Sequence, residues 1–346
     1  MTHDELIALA PAELDVRRTS RFDGTGHSVA LSRFVQSDQE LIRKTYAVVK
    51  RAYGLWLHIR DAAHLSDKHH EALLHEHILT ELRDRNFLLT LRDLGAATYK
   101  LGTPPREVRA ALHDIRGGAL LALIGYAAAE GRGDAISSAE LHSVILRARD
   151  HARIMRNAIT DLDPTLRAID AGVKTHTMLD FIDKWANTTY RIGERAIKVS
   201  TALEYDGFVS HYDLETAALD RVLYNHVNNA ARFTADDRVE IAALPVNERL
   251  VRWVISNPLY PEHNVQLSEQ VGGDLSKLYR GGLTRGGHGI GLNNCAALVA
   301  DAVGVDDIDA LLSRGYVGAE IRDHHYVAWF HWPICDAPED EAIAAS

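Results

Sequence analysis

Cysteine is nearly missing from this sequence. Cys295 and Cys335 are the only two among 346 residues, too few for a disulfide framework and without a zinc spacing. They read as two reduced thiols. Basic residues are outnumbered too: lysine and arginine total 38 against 48 acidic residues, a formal net charge of -10 with no basic stripe. That balance argues against a nucleic-acid partner, since phosphate backbones select basic surfaces. It does not exclude a nucleotide, which needs only a few local cations and backbone donors. No long apolar run is present. The longest, residues 117–129, falls well short of the roughly 20 needed to cross a bilayer. Residues 1–11 mix charge into a short apolar stretch, unlike a signal peptide. The expectation is a cytoplasmic protein with no membrane span, whose stimulus is cytoplasmic or delivered by a partner. Prolines number only 9 and hydrophobic residues make up 46%. Alanine and leucine abound, which favours helix, and the length allows two or three domains, each with its own core.

Residues 1–30 are mixed and turn-rich and read as a loose terminus. From 37 to 100 apolar residues recur at three and four, predicting two helices, the second capped by Ser66 or Asp67. Gly102-Thr103-Pro104-Pro105 breaks the pattern, and proline suits a first helical turn, so a helix is expected near Pro105. It runs through Val108, Leu112, Ile115, Leu120 and Ile124 to a turn over 131–134. A second helix over 138–160 carries Leu141, Ile145, Ala148, Ala152 and Met155 on one stripe, making an antiparallel helical hairpin. Beyond His176 the texture changes. A helix over 178–192, a strand over 196–204 and a strong helix over 214–233 are expected. Strands over 238–243 and 249–256, a glycine-rich stretch, a helix over 292–303 and late strands follow. Such a mixture predicts an α/β sandwich with helices on one face of a mixed sheet.

Two patterns carry chemistry. In the strong helix, Asn225 and Asn229 stand four apart and share a face, with Arg232 close by. Amide oxygens are neutral hard donors suited to magnesium that also takes phosphate oxygens, and Arg232 can meet a phosphate. Asparagine is a poor mid-helix residue, and three here need a reason. About sixty residues on, Gly286-Gly287-His288-Gly289-Ile290-Gly291-Leu292 opens an apolar helix. Alternate glycines let backbone amides approach an anion, and the helix N-terminus adds partial positive charge.

Together these resemble the N-box and second glycine box (G2) of the GHKL-type ATPase domain of sensor histidine kinases, a fold shared with DNA gyrase and mismatch-repair ATPases. Asn225-x-x-x-Asn229-Ala230-Ala231-Arg232-Phe233 carries the first match, Gly287-His288-Gly289-Ile290-Gly291-Leu292 the second, and 319–333 looks like the last strands. The resemblance implies a Bergerat-type sandwich that binds ATP and Mg2+, with Asn225 and Asn229 on magnesium and phosphates, and Gly287, Gly289 and Gly291 lining the lid hinge. The first glycine box (G1) departs from the pattern. Where the family places Asp-x-Gly-x-Gly, this chain has Asn257-Pro258-Leu259-Tyr260-Pro261. An asparagine oxygen still accepts a hydrogen bond from an adenine amino group, but the loop without glycines is stiffer.

Upstream, Leu112-His113-Asp114-Ile115-Arg116-Gly117-Gly118 resembles the family's H-box. This implies that His113 is the phosphoacceptor and that Asp114 takes the imidazole proton. Gly117 and Gly118 stand where threonine and proline are frequent, and can supply a similar helix bend. Gly117 cannot position water, so the resemblance implies weak phosphatase activity. The cluster His69-His70-Glu71 with His75-Glu76-His77 has no histidine pair three or four apart, and reads as a solvated or pH-responsive face rather than a metal site.

The expected architecture is an N-terminal helical stalk, sensor or docking segment (1–104), then a histidine phosphotransfer hairpin (105–174) that dimerises into a four-helix bundle. The ATPase domain (175–336) and a frayed tail (337–346) follow. The expected activity is a homodimeric histidine kinase that passes phosphate from His113 to a response-regulator receiver domain, with a separate sensor protein as a further partner. Three alternatives stay open: a degenerate phosphotransfer protein that does not turn over ATP, a non-kinase ATPase of the same superfamily, and a non-enzymatic dimeric scaffold.

Overall fold

Sequence rich in alanine and leucine makes helix up to residue 170, and the breaks fall where a cap or a glycine interrupts it. The structure is a computed structural model that describes residues 3–9, 14, 25–60, 67–186, 188–282 and 290–336. After α1 (His3–Ile7) come α2 (Gln36–Arg60), α3 (Asp67–Arg83), α4 (Arg85–Asp93) and α5 (Ala96–Lys100). The second expected helix thus divides twice. Asp84 accepts from the backbone N–H of Asn86 and caps α4, and Gly95 starts α5 from a left-handed φ of 83°. Ser66, the alternative cap for α3, lies outside the described residues.

The hairpin's first helix is also two. α6 (Arg106–Arg116) starts after Pro105, and α7 (Leu120–Gly131) restarts beyond Gly117 and Gly118. Gly118 takes a φ of 51°, and a Cβ there would meet Asp114 O and His151 Nδ1 at 3.3 Å. The glycine pair therefore breaks the helix instead of bending it. α8 (Ser138–Ala158) opens with a capping box between Ser137 and Glu140. Ile42 and Val49 of α2, Leu82 of α3, Leu112 and Ile115 of α6, Leu123 of α7 and Ile145 and Met155 of α8 share one apolar core. The hairpin is thus bundled with helices of its own chain.

α9 (Pro164–Asp170), capped by Asp163, leads to β1 (Val173–Thr177), α10 (Met178–Ile182), β2 (Thr189–Ile192), β3 (Arg195–Leu203) and β4 (Phe208–Tyr212). The helix expected over 178–192 stops at Ile182. Residues 189–192 are a strand, paired with β3 across the two-residue turn Gly193-Glu194, with Tyr190 buried against Trp185. Next come α11 (Asp213–Phe233), β5 (Arg238–Asn247), β6 (Leu250–Pro258), α12 (Pro261–Val271), α13 (Lys277–Arg280), α14 (Gly291–Val303), α15 (Ile308–Ser313), β7 (Val317–Arg322) and β8 (His325–Pro333). α8, buried along most of its length, lies between α2 and α11.

Six strands form a mixed sheet in the order β2-β3-β5-β6-β8-β7, parallel only between β3 and β5, while β1 and β4 pair separately. The sheet face carrying Val199, Ile241, Trp253 and Phe330 packs on Leu219, Leu223 and Leu298 of α11 and α14. β6 is buried along nearly its whole length because its other face is covered too. There Leu244, Val254, Val327 and Trp329 meet Leu6, Ile7 and Leu9. The N-terminal residues are therefore not all loose. Arg252 donates to the carbonyls of Leu6 and Ile7, and its Nε donates to His331 Nε2 at 2.9 Å. Burial and the Arg252 charge push His331 down to about 3, which keeps it neutral and able to accept. Cys295 and Cys335 are buried free thiols. Among the described residues no helix is long and apolar enough to cross a membrane.

Candidate functional site

Residues 221, 225 and 229 of α11 stand four apart and so face one way. Each has a different task. Asn225 is buried, and its Nδ2 donates to the Arg221 carbonyl at 2.9 Å, which turns Oδ1 toward the start of α14. Asn229 is half-buried, and its side chain makes no hydrogen bond among the described residues. The third asparagine, Asn228, is structural: its Nδ2 donates to the Gly118 carbonyl at 3.1 Å and its Oδ1 accepts from Tyr190. Arg232, at the solvent end of the row, is exposed with its guanidinium over Phe233.

α6 delivers His113 to the same place. A Cβ on Gly291, the first residue of α14, would lie 2.9 Å from Cε1 and 3.0 Å from Nε2 of His113, and 3.4 Å from Oδ1 of Asn225. Only glycine lets the imidazole sit this close to the helix start. His113 keeps 30% side-chain exposure while Asp114 beside it keeps 1%. His113 Nδ1 faces Asp114 Oδ1 at 3.3 Å. The other carboxylate oxygen, Oδ2, accepts from Arg221 Nε at 2.7 Å and from Asn294 Nδ2 at 2.8 Å. Arg221 Nη1 in turn donates to Asn157 Oδ1 of α8 at 2.7 Å. Burial alone would raise the Asp114 carboxyl, but Arg221 and His113 outweigh it and hold it below the usual carboxylate range. An ionised Asp114 accepts the Nδ1 proton of a neutral imidazole, which leaves the Nε2 lone pair toward Gly291.

The structure thus brings together His113, Asp114, Asn225 and Gly291. Asn257 is at the end of β6, on the sheet face that Val251, Trp253 and Ile255 share by alternation. Its Nδ2 donates to Pro258 O, and its Oδ1 is a buried acceptor with no partner among the described residues. Gly287 and Gly289 lie outside the described residues. No sequence motif points to Arg221, Asn294 or Asn157. Arg221 is the one within reach, since stepping the Asn225/Asn229 spacing back one turn lands on it.

A second polar junction ties α8 to α11. Lys184 Nζ lies 2.6 Å from Asp150 Oδ2 and 2.5 Å from Asp220 Oδ1, and Tyr224 donates to Asp150 at 3.0 Å. Burial would raise Asp150, but Lys184 and Arg149 hold it low; burial and the Asp150 charge push Asp220 up. In the histidine cluster of α3, His75 Nδ1 lies 3.5 Å from Glu130 Oε1.

No family model matches the sequence, and no curated protein matches it. Solved structures do show similarity. The mycobacterial sensor histidine kinase MprB overlaps 48% of this chain and 100% of its own at 13% identity, with a TM-score of 0.31. Full-length ShkA in complex with AMPPNP overlaps 67% of this chain at 15% identity and a TM-score of 0.32, the chain spanning 44% of ShkA. The histidine kinase domain of the blue-light activated EL346 from Erythrobacter litoralis overlaps 65% and 91% at 12% identity, with a TM-score of 0.30. All are histidine kinases. The overlaps are partial, and the chemistry rests on the residues of this chain.

Proposed function

We propose that this chain is a protein-histidine kinase that phosphorylates its own His113 from ATP and passes the phosphoryl group to a response-regulator aspartate. The observation that carries the reading is the imidazole of His113 against Gly291, with the Asn225 amide oxygen on the same side. The residues fit a magnesium nucleotide. Asn229 has a side chain with no hydrogen bond among the described residues, Asn225 turns an oxygen to the site, and both are neutral donors suited to a cation whose charge the phosphates balance. Asn257 offers a buried acceptor to an amino group such as that of adenine. Arg232, exposed on the same helix, would meet a phosphate in this reading. ATP supplies the phosphoryl group when bound.

The chain's own residues account for the rest. Asp114 fixes the tautomer and steadies positive charge as it grows on the ring, while Arg221 and Asn294 hold Asp114 still. Because Asp114 is held anionic, its part is orientation and charge stabilisation more than permanent proton removal. The domain division at about 104 and 174 and a receiver-domain partner belong to the same reading. One feature favours the runner-up, a phosphotransfer protein without ATP turnover. β6 runs through Pro258 into α12 with no glycine between them.

Incubation with γ-labelled ATP decides. An acid-labile label on the wild-type chain that is absent from His113→Gln is the expected result. A wild-type chain that binds a fluorescent ATP analogue but takes no label rejects the kinase and leaves an ATPase. One that neither binds nor labels leaves the phosphotransfer or scaffold reading.

A further inference from the structure

We propose, resting on the kinase reading above, that the phosphoryl acceptor for each nucleotide site is the His113 of the same chain, so that labelling needs no second copy. Three independent contacts hold the acceptor helix on its own site. His113 lies on Gly291, Asp114 binds Arg221 and Asn294, and Asn228 holds the Gly118 carbonyl where α6 ends. Asp114, Arg221 and Asn294 are all at least nine-tenths buried. Presenting His113 to another copy would strip the Asp114 carboxylate and the Arg221 guanidinium of each other inside the protein, a costly exchange. The hairpin is not free to be traded either. α8 is enclosed between α2 and α11, and Arg221 also reaches across to Asn157 on α8. The surfaces through which a twin hairpin would enter are occupied by α2 and by α11 of the same chain.

In the step itself, Nε2 of His113 forms a bond to the γ-phosphorus as the bond to the β,γ-bridging oxygen breaks. ADP leaves with that electron pair, and the Nδ1 proton stays shared with Asp114.

Two co-expressed full-length variants of different tag length test the proposal. His113→Gln keeps the nucleotide side and lacks the acceptor. Asn229→Ala keeps the acceptor and loses a proposed phosphate-side ligand at a half-buried position. With γ-labelled ATP the wild type labels, each variant alone does not, and the expected result is complete absence of label from the co-expressed pair. Label on the Asn229→Ala chain of the pair overturns the proposal and leaves the kinase reading intact. No label on the wild type removes the kinase reading and the proposal with it.

A nucleotide-free arm reads the contact directly. In chains carrying isotope-labelled histidine, Gly291→Ala is expected to shift the His113 imidazole resonances, because its Cβ lands on the ring. Labelled wild-type chains, expressed separately and then co-refolded with unlabelled Gly291→Ala chains, are expected to show no shift. A shift in that mixed sample, or none within the variant itself, overturns the proposal.

Discussion

Among the carboxylate–cation pairs that join the helical half to the sheet half, two junctions are completely enclosed, and their surroundings differ. At the first, Asp114 meets Arg221; at the second, Lys184 bridges Asp150 and Asp220. Both cations and all three carboxylates are within 1% of complete burial at the side chain. Around Lys184 the neighbours Tyr224 and Arg147 are buried as well, and Arg149 on Asp150, which keeps 20% side-chain exposure, is a guanidinium with no lone pair to offer. Around Asp114 the neighbour that opens to solvent is an imidazole, His113, against a glycine that starts a helix. Burial and paired charge are therefore poor evidence of chemistry on their own. What separates the junctions is a reactive atom held by the network and accessible from outside it.

The largest effect should fall on the first junction. Asp114→Asn keeps the shape but replaces the anion, and the labelling rate should drop by about 10²- to 10³-fold, the range of one lost electrostatic stabiliser. Single-turnover labelling at saturating ATP measures it. A rate within a few-fold of wild type would show that Asp114 only packs. Next comes Lys184→Met, which leaves two carboxylates sharing a buried space and should cost about 3–5 kcal/mol of stability. Urea unfolding checks that, and the labelling rate of the folded fraction should not change. Should the rate fall as far as in Asp114→Asn, the distinction between the two junctions collapses.

The first junction is more legible in the sequence than the second, for a physical reason. Asn225 and Asn229 at helical spacing, a glycine opening α14 and His113 beside an acid are local patterns, readable because each works through neighbours on one element. Arg221, Asn294 and Asn157 act only across elements, with Arg221 and Asp114 lying 107 residues apart. No periodicity reports such a pairing. The same limit explains the fold. The strong helix α11 and the paired strands β5 and β6 are readable from pattern. The short elements β1, β2, β4 and α15 are not, since their state is decided by what covers them. The helix expected over 178–192 ends early because burial of Tyr190 against Trp185 outweighs helical spacing. Gly117-Gly118, expected to bend a helix, breaks it, because the left-handed Gly118 lets its carbonyl meet Asn228.

A smaller effect links the two junctions through His151, which follows Asp150 on α8 and packs near Gly118. Burial pushes its imidazole down to about 4. An unfolded chain binds that proton near pH 6.5, so stability is complete above 6.5 and falls as pH drops toward 4. From about pH 6.5 to about pH 5 this one group should cost about 2 kcal/mol, at about 1.4 kcal/mol per unit. Asp220 works in the opposite sense. Its raised carboxyl takes a proton in the folded state first, and so adds stability as pH falls toward its unfolded value. Unfolding midpoints at about pH 7.5 and about pH 5 for wild type and His151→Leu isolate the imidazole. An unchanged slope in the variant would mean that no proton is refused there.

The smallest effect concerns the nucleobase side, where the chain departs most from the pattern it resembles. Asn257 presents a single buried acceptor, Oδ1, and spends its amide hydrogen on Pro258. A neutral acceptor contributes about 1 kcal/mol net to a ligand amino group, which is about fivefold in affinity. Asn257→Leu should therefore weaken binding of a fluorescent ATP analogue about fivefold while leaving the labelling rate at saturating ATP unchanged. That split matters, because Asn257 lies at the end of β6 and the proposed reacting atom is on His113, beside Gly291. A loss confined to affinity would place the base at Asn257 and the chemistry at the first junction. Unchanged affinity would instead mean that the base is recognised elsewhere, and that the buried acceptor answers to some other donor.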